Sequence, residues 1–263
     1  MINQLKAKLR KGKRVFGAWS MLASPIVMNV IAHAGVDFII IDMEHGAMSF
    51  ETVEMQLYAS ESAGCTPVVR LGEANEGAIL HALETGAQSL MISHVSTAAE
   101  AECIVKATRY HPEGVRGLSP FTRNHGYSDE KIAGKLHAAN EQMFVGVLVE
   151  GREGLDQLEK ICEVKNLDMV YLGIYDLSQS VGFPGEVNHP QVVKIVRDCA
   201  QLINDKGLVA GSVARDREYI DLLVDSGFRF ISYRVDAAVL REGYETAYDW
   251  FRESIREEKD EQR

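Results

Sequence analysis

What this sequence has little of narrows it first. Four cysteines, Cys65, Cys103, Cys162 and Cys199, are scattered over 263 residues with no Cys-x-x-Cys pair. That spacing argues against a disulfide framework or a thiolate metal site, and the four read as reduced, mostly buried thiols. No apolar run approaches the roughly 20 residues of a membrane-spanning helix, and the charged, amphipathic first ten residues lack the apolar core of a signal peptide. Positive charge is in deficit: the formal net charge is -10, which argues against a nucleic-acid groove or an anionic membrane surface as partner. No low-complexity linker divides the chain. These absences leave a cytoplasmic, soluble protein that acts on a small molecule, and the length suits one domain, 1–263.

What is present is a repeated junction in which a helix stops on glycine and the chain turns into a strand. It occurs at Ala34-Gly35-Val36, Ala63-Gly64-Cys65, Thr85-Gly86-Ala87 and Ser226-Gly227-Phe228. Glycine just past a helix end tolerates the left-handed backbone that such a stop requires. Strands are predicted at about 14–19, 36–42, 66–70, 88–93, 143–149, 168–173, 208–212 and 228–232, with helices between them. Eight alternations of this kind predict an α/β fold, a (β/α)8 TIM barrel. An open doubly wound sheet is the alternative, but no Gly-x-Gly-x-x-Gly turn follows the first strand. A long loop at about 111–141, with glycines, aromatics and arginines in its first half, reads as functional, and a charged tail begins at about 252.

In such a barrel, the residues at the carboxyl ends of the strands share one face. The run Val36-Asp37-Phe38-Ile39-Ile40-Ile41-Asp42-Met43-Glu44-His45 breaks from an apolar strand into two carboxylates and an imidazole, so His45 is a candidate acid or base. Arg70 ends an apolar strand and suits a substrate carboxylate, a developing oxyanion or a structural ion pair. Glu150 and Asp176 follow adjacent strands and suit a hard divalent ion; each could equally be a solvated rim carboxylate or an arginine's partner. Trp19 is either packing or an apolar wall, and Ser212 ends the seventh strand. Glu84 could orient His45 only if the fold brings its helix end close. No lysine ends a predicted strand, which disfavours a Schiff base.

Taken in order, Phe16-Gly17-Ala18-Trp19, Ile41-Asp42-Met43-Glu44-His45, Pro67-Val68-Val69-Arg70, Ala82-Leu83-Glu84-Thr85-Gly86-Ala87, Tyr110-His111-Pro112-Glu113-Gly114-Val115-Arg116-Gly117, Val149-Glu150 and Asp176-Leu177-Ser178-Gln179-Ser180-Val181-Gly182 resemble the HpcH/HpaI aldolase family. The resemblance covers about residues 5–250. It implies a class II aldolase that cleaves a 4-hydroxy-2-oxo acid to pyruvate and an aldehyde, using Mg2+, Mn2+ or Co2+ held by Glu150 and Asp176. It further implies His45 as base, the acidic residue at 84 raising its basicity, Arg70 stabilising the pyruvate enolate, and Trp19 and Gly173 lining the pyruvyl pocket. A hexamer, a trimer of dimers exchanging their last helix, is implied too, which would account for Tyr248, Trp250 and Phe251 near a charged terminus.

Three departures from the family's pattern bear on the substrate. Leu148 stands where many members have Gln, Gly173-Ile174-Tyr175-Asp176 replaces a Gly-Pro-small-Asp turn and puts a phenol beside the substrate, and Ile92-Ser93-His94 replaces Val-Pro-His or Val-Pro-Met. They point to retained carbon–carbon chemistry with an altered acceptor pocket. The alternatives are a citrate-synthase-like or other acyl-CoA condensing enzyme of the same superfamily and, from another class, a non-catalytic sugar-acid-binding barrel protein.

Overall fold

A strand buried on both faces alternates between two apolar environments, and that alternation builds this molecule. The computed structural model describes residues 2–260, with side chains in the last helix described through 255. Eight parallel strands close into a barrel in sequence order: β1 (Val15–Ser20), β2 (Phe38–Asp42), β3 (Thr66–Leu71), β4 (Ser89–Ile92), β5 (Phe144–Val149), β6 (Met169–Leu172), β7 (Val209–Ala214) and β8 (Phe230–Val235). The helices are α1 (Gln4–Arg10), α2 (Pro25–His33), α3 (Phe50–Ser62), α4 (Glu76–Glu84), α5 (Ala98–Thr108), α6 (Ile132–Gln142), α7 (Arg152–Asp156), α8 (Leu158–Cys162), α9 (Ile174–Ser180), α10 (Pro190–Asp205), α11 (Arg217–Asp225) and α12 (Asp236–Asp260). The (β/α)8 barrel expected from the glycine junctions is therefore the fold. Among the described residues, no helix is long and apolar enough to cross a membrane.

The period of two is visible in β2. Ile39 and Ile41 pack outward against the helices, while Phe38 and Ile40 point inward with Val68, Phe144, Met169 and Phe230. Phe38 and Phe230 stack at 3.8 Å, and a Cβ on Gly17 would sit 2.5 Å from the Phe38 ring, so only glycine fits beside that stack. The amphipathic α1 closes the amino-terminal end of the barrel with Leu5 and Leu9, and its Lys6, buried, pairs with Asp168 at 2.9 Å.

Two features differ from the sequence expectation. The long segment after α5 is irregular only to about residue 131, because α6 takes up its last third. It lies at the amino-terminal end of the barrel, remote from the strand ends that carry chemistry, and is held there by side chains: Asn140 accepts from the Tyr110 amide at 2.8 Å, and the Arg123 guanidinium lies 3.9 Å above the Tyr58 ring. Cys65, Cys162 and Cys199 are buried as expected, but Cys103 is exposed.

The last helix does not behave like the others. It packs against the barrel mainly at β1 and β8, while Leu240, Tyr244, Tyr248, Trp250 and Phe251 stay exposed along its length. Beside it, an apolar groove of about 460 Å³ lies between α2 and the barrel wall, lined by Phe16, Ile26, Val30, Ile31 and Val36. The charged stretch from about 252 continues α12 to Asp260, and 261–263 lie outside the described residues.

Candidate active site

The same alternation carries the last inward residue of several strands to the carboxyl-terminal mouth. Trp19 arrives on β1, Asp42 on β2, Arg70 on β3 and Glu150 just after β5, around a cavity of about 180 Å³ that His45, Gly173, Tyr175 and Asp176 also line.

Asp42 is the hub. It is 1 % exposed, and its carboxylate accepts from Trp19 Nε1 at 2.8 Å, from Arg70 Nη1 at 3.1 Å and from the backbone N–H groups of Glu44 at 2.9 Å and His45 at 3.1 Å. A charge so deeply buried is tolerable only when paired and hydrogen-bonded on all sides, as this one is. One side chain thus fixes an indole, a guanidinium and the turn that bears His45. Arg70 is locked further: Nε donates to Ser93 Oγ at 2.8 Å, Nη2 lies 2.5 Å from Glu44 Oε2, and the guanidinium carbon sits 5.1 Å from the Trp19 ring centroid. A planar donor fork held in this way is preorganised for negative charge in the cavity.

Above this layer, His45 is largely exposed, with Nε2 3.5 Å from Glu44 Oε1. His94 bridges the site, Nε2 lying 2.9 Å from Glu44 Oε1 and Nδ1 2.7 Å from Glu150 Oε1. The second contact is close but poorly aligned, so Oε1 of buried Glu150 receives no hydrogen bond. Glu150 Oε2 faces Gly173, where a Cβ would come within 2.6 Å of it. An orphaned carboxylate oxygen and a glycine cradle, with Asp176 on the first turn of α9, fit a divalent cation that keeps positions open for water and substrate. Among the described residues, no group of three or more His, Cys, Asp or Glu is arranged to hold a metal, so protein ligation would rest on these two carboxylates.

Two sequence candidates fall elsewhere. Glu84 ends α4 at the opposite end of the barrel and pairs with Arg116 at 3.0 Å; Arg116 in turn lies 4.4 Å over the Tyr110 ring, whose hydroxyl meets His125 Nε2 at 2.9 Å. Within this chain, Glu84 and His45 are not brought together. Ser212 is fully buried and donates to the Leu172 carbonyl at 2.9 Å; its neighbour Val213 lines the cavity instead. Asp42 was missed as a site residue, although it shares the parity of inward-facing Phe38 and Ile40 and so signalled its direction.

A barrel mouth holding a locked guanidinium, an imidazole and two carboxylates suited to a cation has the groups that enolate chemistry requires. Residues 15–242 match the HpcH/HpaI aldolase/citrate lyase family, and the chain belongs to it. A hydroxypyruvate/pyruvate aldolase of Sagittula stellata is 35% identical over 239 residues, 91% of this chain and 94% of its own. The crystal structure of a HpcH/HpaI aldolase/citrate lyase family protein from Burkholderia cenocepacia J2315 superposes with a TM-score of 0.90 at 30% identity, covering 95% of this chain and 99% of that one. The citrate synthase SbnG gives 0.86 at 29% identity, with 95% and 98% covered. Aldolases of this family are in general dependent on a divalent metal.

Burial pushes Glu150 up to about 7, with Asp176 and Glu44 pushing the same way and His94 and Arg70 opposing. A glutamate in the unfolded chain titrates near about 4.3. Between those values the folded chain keeps a proton that the unfolded chain has released, so stability falls as pH rises through the window and levels off above it. In denaturant titrations of metal-free protein, Glu150 is expected to contribute a fall in unfolding free energy on the order of 2–3 kcal/mol between about pH 4.5 and about pH 7.5, read as the difference between wild type and Glu150→Gln. The same pH dependence of stability in both proteins would refute the assignment.

Proposed function

We propose that this protein cleaves, or in reverse forms, a 4-hydroxy-2-oxo acid to give pyruvate and an aldehyde, as a soluble cytoplasmic enzyme. The observation that carries the reading is the Asp42-locked Arg70 beside the orphaned Glu150 carboxylate, in a family that contains aldolases. A Mg2+ or Mn2+ ion, with Co2+ as an alternative, would be held by Glu150 and Asp176. When bound, it would polarise the 2-oxo group as a Lewis acid.

The chain's own residues supply the remaining steps. The His45 imidazole takes the proton of the 4-hydroxyl group; the C3–C4 bond breaks, its electron pair passes into the C2–C3 enolate, and the aldehyde leaves. Arg70 stabilises the negative charge that develops on the pyruvyl oxygens. Protonation at C3 completes pyruvate. Trp19 and Gly173 border the pyruvyl end, Gly173 by leaving room where a side chain would strike Glu150. Glu44, 3.5 Å from His45, is the nearest carboxylate to support its basicity within this chain, in place of Glu84.

The departures at Leu148 and Tyr175, together with the likeness to a citrate synthase structure, support a second reading: condensation of an oxo acid with an acyl-CoA. Pyruvate release from a panel of 4-hydroxy-2-oxo acids, followed by coupled NADH oxidation, separates the two. Metal-dependent release abolished by EDTA, and lowered about 10²–10⁴-fold in His45→Ala, is expected. Metal binding without release from any member would favour the acyl-CoA reading.

The apolar face of α12 and the adjoining groove support an assembly in which two copies exchange their last helices, and three such pairs form a hexamer. Light scattering at micromolar concentration should give about six times the chain mass, falling when Tyr248 and Trp250 are both changed to Ser. A wild-type monomer would contradict it.

A further inference from the structure

The mouth of the barrel is divided by chemistry. Every ionisable side chain on the cavity wall but the Tyr171 and Tyr175 phenols comes from β2 and the turn after it, β3, the end of β5 or the start of α9: Asp42, His45, Arg70, Glu150 and Asp176. The opposite side, built by β7, β8 and the end of β1, presents Val213, Val235 and Met21, with the Tyr175 ring at its margin.

Several polar groups of that opposite side are engaged away from the cavity. Ser212 donates to the Leu172 carbonyl at 2.9 Å, Ser232 and the Tyr171 hydroxyl meet at 2.7 Å, and Ser20 donates to Asp236 at 2.7 Å. The other carboxylate oxygen of Asp236 accepts from the Met21 amide at 3.0 Å, Arg215 is taken up by Asp216 at 2.8 Å, and Arg234 is paired with Glu242. A substrate hydroxyl, phosphate or carboxylate laid against Met21, Val213 and Val235 would lose its water and gain no partner from those side chains, whereas an alkyl or aryl group would bury apolar surface.

We infer that the aldehyde half of the substrate is apolar: an alkyl or aryl aldehyde without a hydroxyl, phosphate or carboxylate group near its carbonyl. The inference rests on the pyruvate reading given above, because the charged side of the mouth takes the oxo acid and leaves only the Met21–Val213–Val235 side for the aldehyde. In the forming direction, C3 of pyruvate bonds to the aldehyde carbon, and the proton lost from the pyruvate methyl group is balanced by the one gained at the aldehyde oxygen. The Tyr175 ring, a departure from the family pattern, borders the same apolar surface.

The test uses the full chain with Mn2+ and two readouts. Deuterium exchange into the pyruvate methyl group, without aldehyde, reports the donor half alone; kcat/KM for addition of pyruvate to pentanal and benzaldehyde, against glyceraldehyde and succinic semialdehyde, reports the acceptor half. Exchange together with a preference of about 10–100-fold for the apolar pair is expected, since a hydrophobic pocket rejects an added hydroxyl by up to about 10². Exchange with equal or better use of the polar pair overturns the inference and leaves the pyruvate reading standing, whereas absence of exchange overturns both. Val213→Thr, nearly isosteric, should narrow the ratio by about threefold or more; an unchanged ratio in the folded variant would show that this wall does not contact the aldehyde.

Discussion

The site depends on one buried carboxylate. Asp42 sits under the mouth of the barrel with almost no exposure and satisfies its charge with the Trp19 indole, the Arg70 guanidinium and two backbone N–H groups of the turn that follows it. A buried carboxylate without those donors would be costly, and the donors without the carboxylate would be free to rearrange. Each therefore holds the other in place, and the positions of Arg70 and of the turn that carries His45 follow from the same interaction. Ser93 fastens the arginine further, its hydroxyl accepting from Arg70 Nε at 2.8 Å.

The fold was legible because its signals are local and repeated. Glycine stops such as Gly35 and Gly227 take positive φ, 86° and 88°, as a left-handed helix stop requires, and each is followed by a strand. The site was legible where strand parity and chemistry agree: Arg70 and Glu150 end apolar strands and arrive in the cavity. It was misread where parity was not applied. Ser212 lies on the outward parity of β7 and spends its hydroxyl on a neighbouring carbonyl, while Val213 faces in. Asp42 was passed over for the more conspicuous Glu44 and His45, although it follows Phe38 and Ile40 on the inward face. Glu84 lay beyond such reasoning, because the direction of a helix end depends on the whole barrel, and this one points to Arg116. The long loop after α5 was legible as unusual, but not as a brace for the amino-terminal end.

Within that frame the cavity combines a strongly polar half with an apolar half. The polar half couples through contacts: Arg70 to Glu44, Glu44 to His94, His94 to Glu150. His94 holds this bridging position at a φ of 57°, a left-handed backbone that a residue with a side chain rarely adopts without reason. The apolar half shares no such network. The ionisable groups thus gather on one side of the mouth and the apolar wall of β7 and β8 faces them, a site set on a widely used fold.

The most direct test of the account is the rate of deuterium exchange into the pyruvate methyl group in Asp42→Asn, measured beside wild type with Mn2+ saturating and with circular dichroism as the check on folding. An amide of the same shape cannot take the charge of Arg70 or all four donors, so exchange should fall by about 10² or more, in line with the loss of one preorganised oxyanion donor. Exchange within about threefold of wild type in a folded variant would mean that Arg70 and the His45 turn keep their catalytic positions without Asp42, contradicting the account.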